Sequence, residues 1–271
     1  MKKSIFQSAV LLHVLVISAF ICTTHMIFTR MAYAATANPA VACATDTDIE
    51  NTYTYTTVYP DNYTPPKNAK IVYLTFDDGP TKYTPEILDI LEKYDILATF
   101  FVVGNRDHTH VMSDIVERGH SIGLHSYNHD FGQIYGSVDA FIKDLEKIDE
   151  IVYDQTGVRS DIMRFPGGSS VKKGAAKTIM PRLKEEVAKR GYQFFDWNCD
   201  SRDKMGVKEA SVALTKIKSA SKDAGDVIIV LMHDTEKITV QYLPGVIEHF
   251  KRLGYDFLPL TKNSPAVQHS W

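Results

Sequence analysis

From Lys67 onward, short apolar runs alternate with amphipathic segments, and this alternation leaves few architectures open. The apolar runs fall at 71–76, 98–103, 121–124, 161–165, 192–197, 226–232 and 255–258. The segments between them carry helical spacing. The first opens at Thr84, read as an N-cap, with Pro85 at the first helical position and Ile87, Leu88 and Leu91 on one face. A second starts at Ser137, places Phe141, Leu145 and Ile148 on one face, and stops near Gly157. Further helices fit 107–118, about 175–190, 207–222 and 239–252, the last ending at Gly254. Seven strands separated by helices specify a parallel β/α arrangement. Runs that are apolar at every position, such as 227–232, require a sheet buried on both faces.

Ionisable residues gather at one level of this scheme. Asp77 and Asp78 follow the first apolar run and His125 the third; Arg164 lies near the end of the fourth. Asp200 comes just after the fifth and His233 just after the sixth. In β/α barrels the working site lies at the C-terminal ends of the strands, so five strand ends converging on polar groups point to an active site.

The adjacent carboxylates Asp77 and Asp78 are costly at the end of a buried strand without a partner. A cation on one of them frees the other to act as a base; the alternative is a plain Asp-Asp-Gly-Pro turn. His125 and His129, four apart, lie on one helical face or turn and are able to grip one cation with Asp78 as third ligand. That set leaves room for water and a substrate oxygen. Arg164 is placed to pair with Asp77, and the glycines after Pro166 leave backbone N–H groups for a developing oxyanion. His233, near a carboxylate such as Asp200, suits a general acid. Base, metal, acid and oxyanion donor together describe metal-assisted hydrolysis of an ester or amide. Tyr127, Tyr135 and Trp197 are candidate stacking faces for a ring-shaped substrate, with core packing the alternative for Trp197.

These segments resemble the five ordered motifs of the polysaccharide deacetylases, carbohydrate esterase family four or the NodB-homology family. They are Thr75-Phe76-Asp77-Asp78-Gly79, His125-Ser126-Tyr127-Asn128-His129, Arg164-Phe165-Pro166-Gly167, Asp200-Ser201-Arg202-Asp203 and Leu231-Met232-His233. The resemblance covers residues 68–262. It implies a distorted (β/α)7 barrel and removal of N-acetyl groups from amino sugars with a divalent metal, usually zinc, with cobalt, manganese or nickel as alternatives. It implies Asp77 as general base and Asp78, His125 and His129 as metal ligands, with Arg164 orienting Asp77. His233, supported by Asp200, protonates the leaving amine, and the backbone N–H near Gly167 meets the oxyanion. Two positions depart from the family pattern: Lys204 stands where a Trp is usual, and Gly167 where an aromatic residue is frequent.

The remaining sequence sets the context. A formal charge of -3 and a pI near 6.4 argue against a nucleic-acid partner. Lys2-Lys3, an apolar stretch from Ile5 to about Phe28, and Ala32-Tyr33-Ala34 have the order of a secretory signal cleaved after Ala34. An uncleaved membrane anchor is the alternative, and only then is the membrane a partner. Residues 35–66 read as a linker or arm, 67–263 as a single catalytic domain, and 264–271 as a polar tail without a role. Cys199 reads as a small buried hydrophobe rather than half of a disulfide. The expected protein is a secreted, wall-associated monomer acting on peptidoglycan at N-acetylglucosamine or N-acetylmuramic acid. A chitin-oligomer deacetylase or a non-catalytic glycan-binding domain are the alternatives.

Overall fold

The computed structural model describes residues 69–270; the expected signal and linker lie outside them. Eight strands form one parallel sheet: β1 Ile71–Asp77, β2 Thr99–Val103, β3 Ser121–Ser126, β4 Ile162–Met163, β5 Gln193–Phe194, β6 Cys199–Asp200, β7 Val227–His233 and β8 Asp256–Phe257. The order is β5-β4-β3-β2-β1-β7-β6, with β8 paired to β1. Between the strands run α1 Thr84–Tyr94, α2 Val111–Glu117, the short α3 Phe131–Ile134, α4 Val138–Thr156, α5 Ala176–Lys189, α6 Ala210–Ala220 and α7 Lys237–Arg252. This is the expected α/β architecture, a distorted (β/α)7 barrel in a single domain. Among the described residues, no helix is long and apolar enough to cross a membrane.

Both faces of β1 are buried, and they do different work. Val72, Leu74 and Phe76 point outward into the large core shared with the helices. Ile71 and Tyr73 join Phe101, Ile162, Phe195, Ile229, Leu258 and Leu260 in a small core inside the barrel. The two-residue period of a strand puts Thr75 and Asp77 on that same inner face, above the apolar plug. The same alternation carries Ile162 to Arg164 and Ile229 to His233, so the barrel interior ends in charge.

Three local expectations change. The run 192–197 yields only two strand residues before the chain leaves the ladder, and β6 forms separately. The cause is Arg164: its Nε donates to the Phe195 carbonyl at 3.0 Å and its Nη2 to the Asp196 carbonyl at 3.1 Å. Those carbonyls therefore face a side chain instead of a neighbouring strand. Thr84 is the first residue of α1 and Tyr83 takes the cap position; the Thr84 hydroxyl instead donates to Asp234 Oδ2 at 2.6 Å. The tail is not free, since Val267 packs against the inner core. Gly157, in the left-handed region, ends α4 as expected, and Cys199 is buried and free.

Candidate active site

Asp77 and Asp78 leave β1 buried to 3% and 2% exposure, so neither charge relies on water. Arg164, fully buried, donates Nη1 to Asp77 Oδ1 at 2.7 Å and to Thr75 Oγ1 at 2.7 Å. The guanidinium also lies over the Phe101 ring, 4.2 Å from its centroid. A buried ion pair held this way is costly to break from either side. One Asp77 oxygen is fixed, and the other, Oδ2, lies 3.9 Å from His125 Nε2.

Asp78 turns through the left-handed region at φ 75°. Its Oδ1 lies 3.3 Å from His125 Nε2 and 3.2 Å from His129 Nε2, and the three donor atoms lie within 4.8 Å of one another. His125 Nδ1 is 2.8 Å from the Arg164 carbonyl. A carbonyl only accepts, so in the neutral imidazole it is Nδ1 that carries the proton and Nε2 that turns its lone pair towards Asp78. Burial pushes His129 down to about 4, so its lone pair is free at neutral pH. Asp78 Oδ1 is then a buried acceptor facing two acceptors, without a hydrogen-bond partner. Two nitrogens and one oxygen around that point are the donor set of a catalytic divalent site, and they fit the metal.

His129 is delivered by a loop in a left-handed conformation at φ 56°, not by a helix. The loop is built on Asp144 of α4, whose carboxylate accepts from Ser126 Oγ at 2.6 Å, Tyr127 N at 2.8 Å and Asn128 N at 3.1 Å. Lys204 places its ammonium on Asp78 Oδ2 at 2.5 Å.

His233 ends β7 directly beside Asp77 of β1. Its partner is Asp203, which corrects the expectation of Asp200. His233 Nδ1 lies 2.7 Å from Asp203 Oδ1, and the His233 backbone N–H donates to Asp203 Oδ2 at 2.9 Å. Tyr242 OH completes the carboxylate at 2.8 Å. Asp200 turns back on its own loop, accepting from Arg202 N at 2.7 Å and pairing with Arg202 Nε at 3.2 Å. The reason is local: β6 has two residues, and the chain then reverses through Arg202 at φ 58°, which swings Asp203 under the imidazole. Burial opposes the charge on His233, but Asp203 outweighs it and raises the imidazole to about 9.

The loop after Arg164 runs through Gly167 and Gly168 at φ 78° and 82°. Gly168 N donates to the Phe165 carbonyl at 2.8 Å, whereas the Gly167 N–H has no partner among the described residues. A side chain at 167 would run into the Phe131 ring, 3.0 Å away, and that ring packs edge-on against His129. Phe131 thus supplies aromatic surface where Gly167 has none. Tyr135 is not a stacking face, since it is buried with its hydroxyl on the Pro166 carbonyl at 2.8 Å. The ring of Tyr127 lies under Lys147, and Trp197 packs against the tail. Nothing in the sequence pattern singled out Asp234, which is buried below Gly79 and bonded to Thr84. Burial raises its carboxyl to about 7. A cleft of about 650 Å³ lined by Trp197, Asp200, Arg202 and Met205 opens beside the Asp203 loop, but the Asp/His/His set does not line it.

A carboxylate held as a base and a protonated imidazole, set beside a cation site, are what hydrolysis of an ester or amide demands. The polysaccharide deacetylase family profile matches residues 64–193. A peptidoglycan-N-acetylglucosamine deacetylase of Bacillus cereus is 32% identical over 215 residues, 76% of this chain and 74% of that protein. One from Listeria monocytogenes is 30% identical across 72% of this chain, which spans only 39% of that longer protein. Among solved structures, the catalytic domain of the Eubacterium rectale peptidoglycan N-acetylglucosamine deacetylase superposes with a TM-score of 0.73 and 39% identity. The match covers 76% of this chain and 95% of that one. This chain belongs to the polysaccharide deacetylase family, and its activity is that of a polysaccharide N-deacetylase.

Proposed function

We propose that this deacetylase acts outside the cell on peptidoglycan, releasing acetate from N-acetylglucosamine or N-acetylmuramic acid residues, with zinc held by Asp78, His125 and His129. The observation that carries the metal is Asp78 Oδ1, a buried acceptor with no hydrogen-bond partner beside two imidazole nitrogens. The similar proteins named for peptidoglycan support the glycan. The signal-like order of Lys2-Lys3, the apolar stretch and Ala32-Tyr33-Ala34 supports export.

When bound, the metal would polarise the acetyl carbonyl and make the attacking water more acidic. Asp77, its Oδ1 fixed by Arg164, takes the proton from that water as the water oxygen bonds to the carbonyl carbon. The Gly167 N–H donates to the oxygen on which negative charge develops. His233, protonated at neutral pH through Asp203, gives its proton to the sugar nitrogen as the C–N bond breaks. Acetate and a free amine remain.

The test is acetate release by residues 35–271 from N-acetylglucosamine oligomers and from purified peptidoglycan, each with zinc and with chelator. Zinc-dependent release from peptidoglycan supports the proposal. Release from the oligomers alone moves the substrate to chitin-like glycans, and release that survives chelation removes the metal from the reading.

A further inference from the structure

Asp196 is fully buried, yet no residue of the proposed reaction contacts its carboxylate. Its Oδ1 accepts from Ser169 N at 2.7 Å, and its Oδ2 from Ser169 Oγ at 2.5 Å and His269 N at 2.7 Å. The nearest cationic candidate, His269 Nδ1, stands 3.8 Å away. A buried carboxylate satisfied mainly by neutral donors is an expensive way to fill a core, so its geometry calls for a reason.

The backbone of the same residue supplies one. Its carbonyl accepts from Arg164 Nη2 at 3.1 Å, and Arg164 is the group that fixes Asp77. Its N–H donates to the Val267 carbonyl at 2.8 Å. His269 Nε2 meets the Trp197 carbonyl at 2.8 Å, and its ring packs edge-on against Trp197. Asp196 is thus the junction of three segments: the arginine that orients the base, the Gly167–Ser170 loop, and the tail at 267–269. The fit against that loop is close, because a side chain at Gly168 would meet Trp197 at 3.0 Å and Asp196 Oδ1 at 3.3 Å. A glycine-rich loop has little stiffness of its own, and its set comes from what grips it.

We propose that Asp196 is a positioning residue for deacetylation: anchored by the docked tail, it locks the Gly167–Ser170 loop in register with Arg164, so the oxyanion donor and the base keep a fixed relation. This rests on the deacetylase reading for its kinetic consequence but not for its geometry.

The test uses the full 271-residue chain with Asp196→Asn, His269→Pro and His269→Ala. D196N sets an amide N–H against donors, and H269P removes the backbone N–H given to Asp196, whereas H269A keeps it. The expected result is a fall in kcat of tenfold or more for D196N and H269P, with KM and zinc affinity within twofold of the parent, and a clearly smaller fall for H269A, which loses the ring contacts with Trp197 but keeps the N–H given to Asp196. Amide exchange at Ser169 should speed up in D196N and H269P. If D196N does not fold, the pair of variants at His269 decides. The proposal is overturned if kcat in H269P stays within twofold, or if kcat and zinc affinity fall together, as general distortion would make them. An inactive parent would sink the deacetylase reading alone. Exchange at Ser169 would then decide the lock, and unchanged protection in H269P would overturn it.

Discussion

Replacing Asp203 with Asn tests the acid half of the site, because it removes the charge that keeps His233 protonated while leaving its volume. Asp203 Oδ1 sits 2.7 Å from His233 Nδ1 and holds the imidazole at about 9. Without that charge, burial opposes the proton and only the charges of Asp77 and Asp78 still favour it, which takes the imidazole down towards the ordinary value of about 6.5. At that limit the protonated fraction at pH 8 falls from about nine-tenths to about three-hundredths, a loss of up to ~30-fold from protonation alone. At pH 6 the same arithmetic gives a loss below about twofold. The assay is initial acetate release at saturating substrate from pH 5.5 to 9.5, with Asp200→Asn alongside. D203N should move the alkaline limb of kcat down by a unit or more, and D200N should leave it in place. An equal loss at every pH, or an alkaline limb that moves in D200N instead, would refute the pairing.

Asp77→Asn should abolish turnover while zinc binding, followed by chelator competition, stays near wild type; equal rates would remove Asp77 as the base. Lys204→Met takes a positive charge off Asp78 Oδ2 and should tighten zinc about tenfold or more, given the Coulomb repulsion between close cations; unchanged affinity in calorimetry would make the Lys204 contact a plain surface pair. Gly79→Ala should fail to fold stably, since a Cβ there collides with the Asp234 carboxyl; a soluble variant with an unaltered melting temperature would contradict this packing. In the metal-free protein, the raised His233 value contributes up to about 3 kcal/mol of stability below about pH 6.5, lost as pH rises through about 9. Denaturant midpoints that do not fall between pH 6.5 and 9.5 would contradict it.

The barrel and the level of its site were legible because strands buried on both faces read as unbroken apolar runs, and charge at their ends has few bland explanations. Asp77, Asp78, His125, His129, Arg164 and His233 stand together as their spacing implied. Asp200 against Asp203 was not decidable from spacing, since one carboxylate ends a two-residue strand, the other follows it, and a left-handed residue between them chooses. Asp144 and Asp196 left no sequence signal because they act on backbone N–H groups 16 to 73 residues away. Their partners are defined by the closed fold and by no local pattern. Thr84 misled for a related reason: a threonine before a proline reads as a cap, but Asp234, 150 residues on, takes its hydroxyl.

Arg164 has a further consequence. Its Nε and Nη2 occupy the carbonyls of Phe195 and Asp196 where the sheet is interrupted between β5 and β6, while its Nη1 steadies Asp77. One side chain is at once the rivet of the barrel seam and the rest on which the base is aimed. A screen that scores abundance and one that scores catalysis would therefore reject the same substitutions at this position. Variation that retunes this enzyme has to enter elsewhere, through the loops at the rim, because this arginine cannot change its catalytic part without opening the wall that contains it.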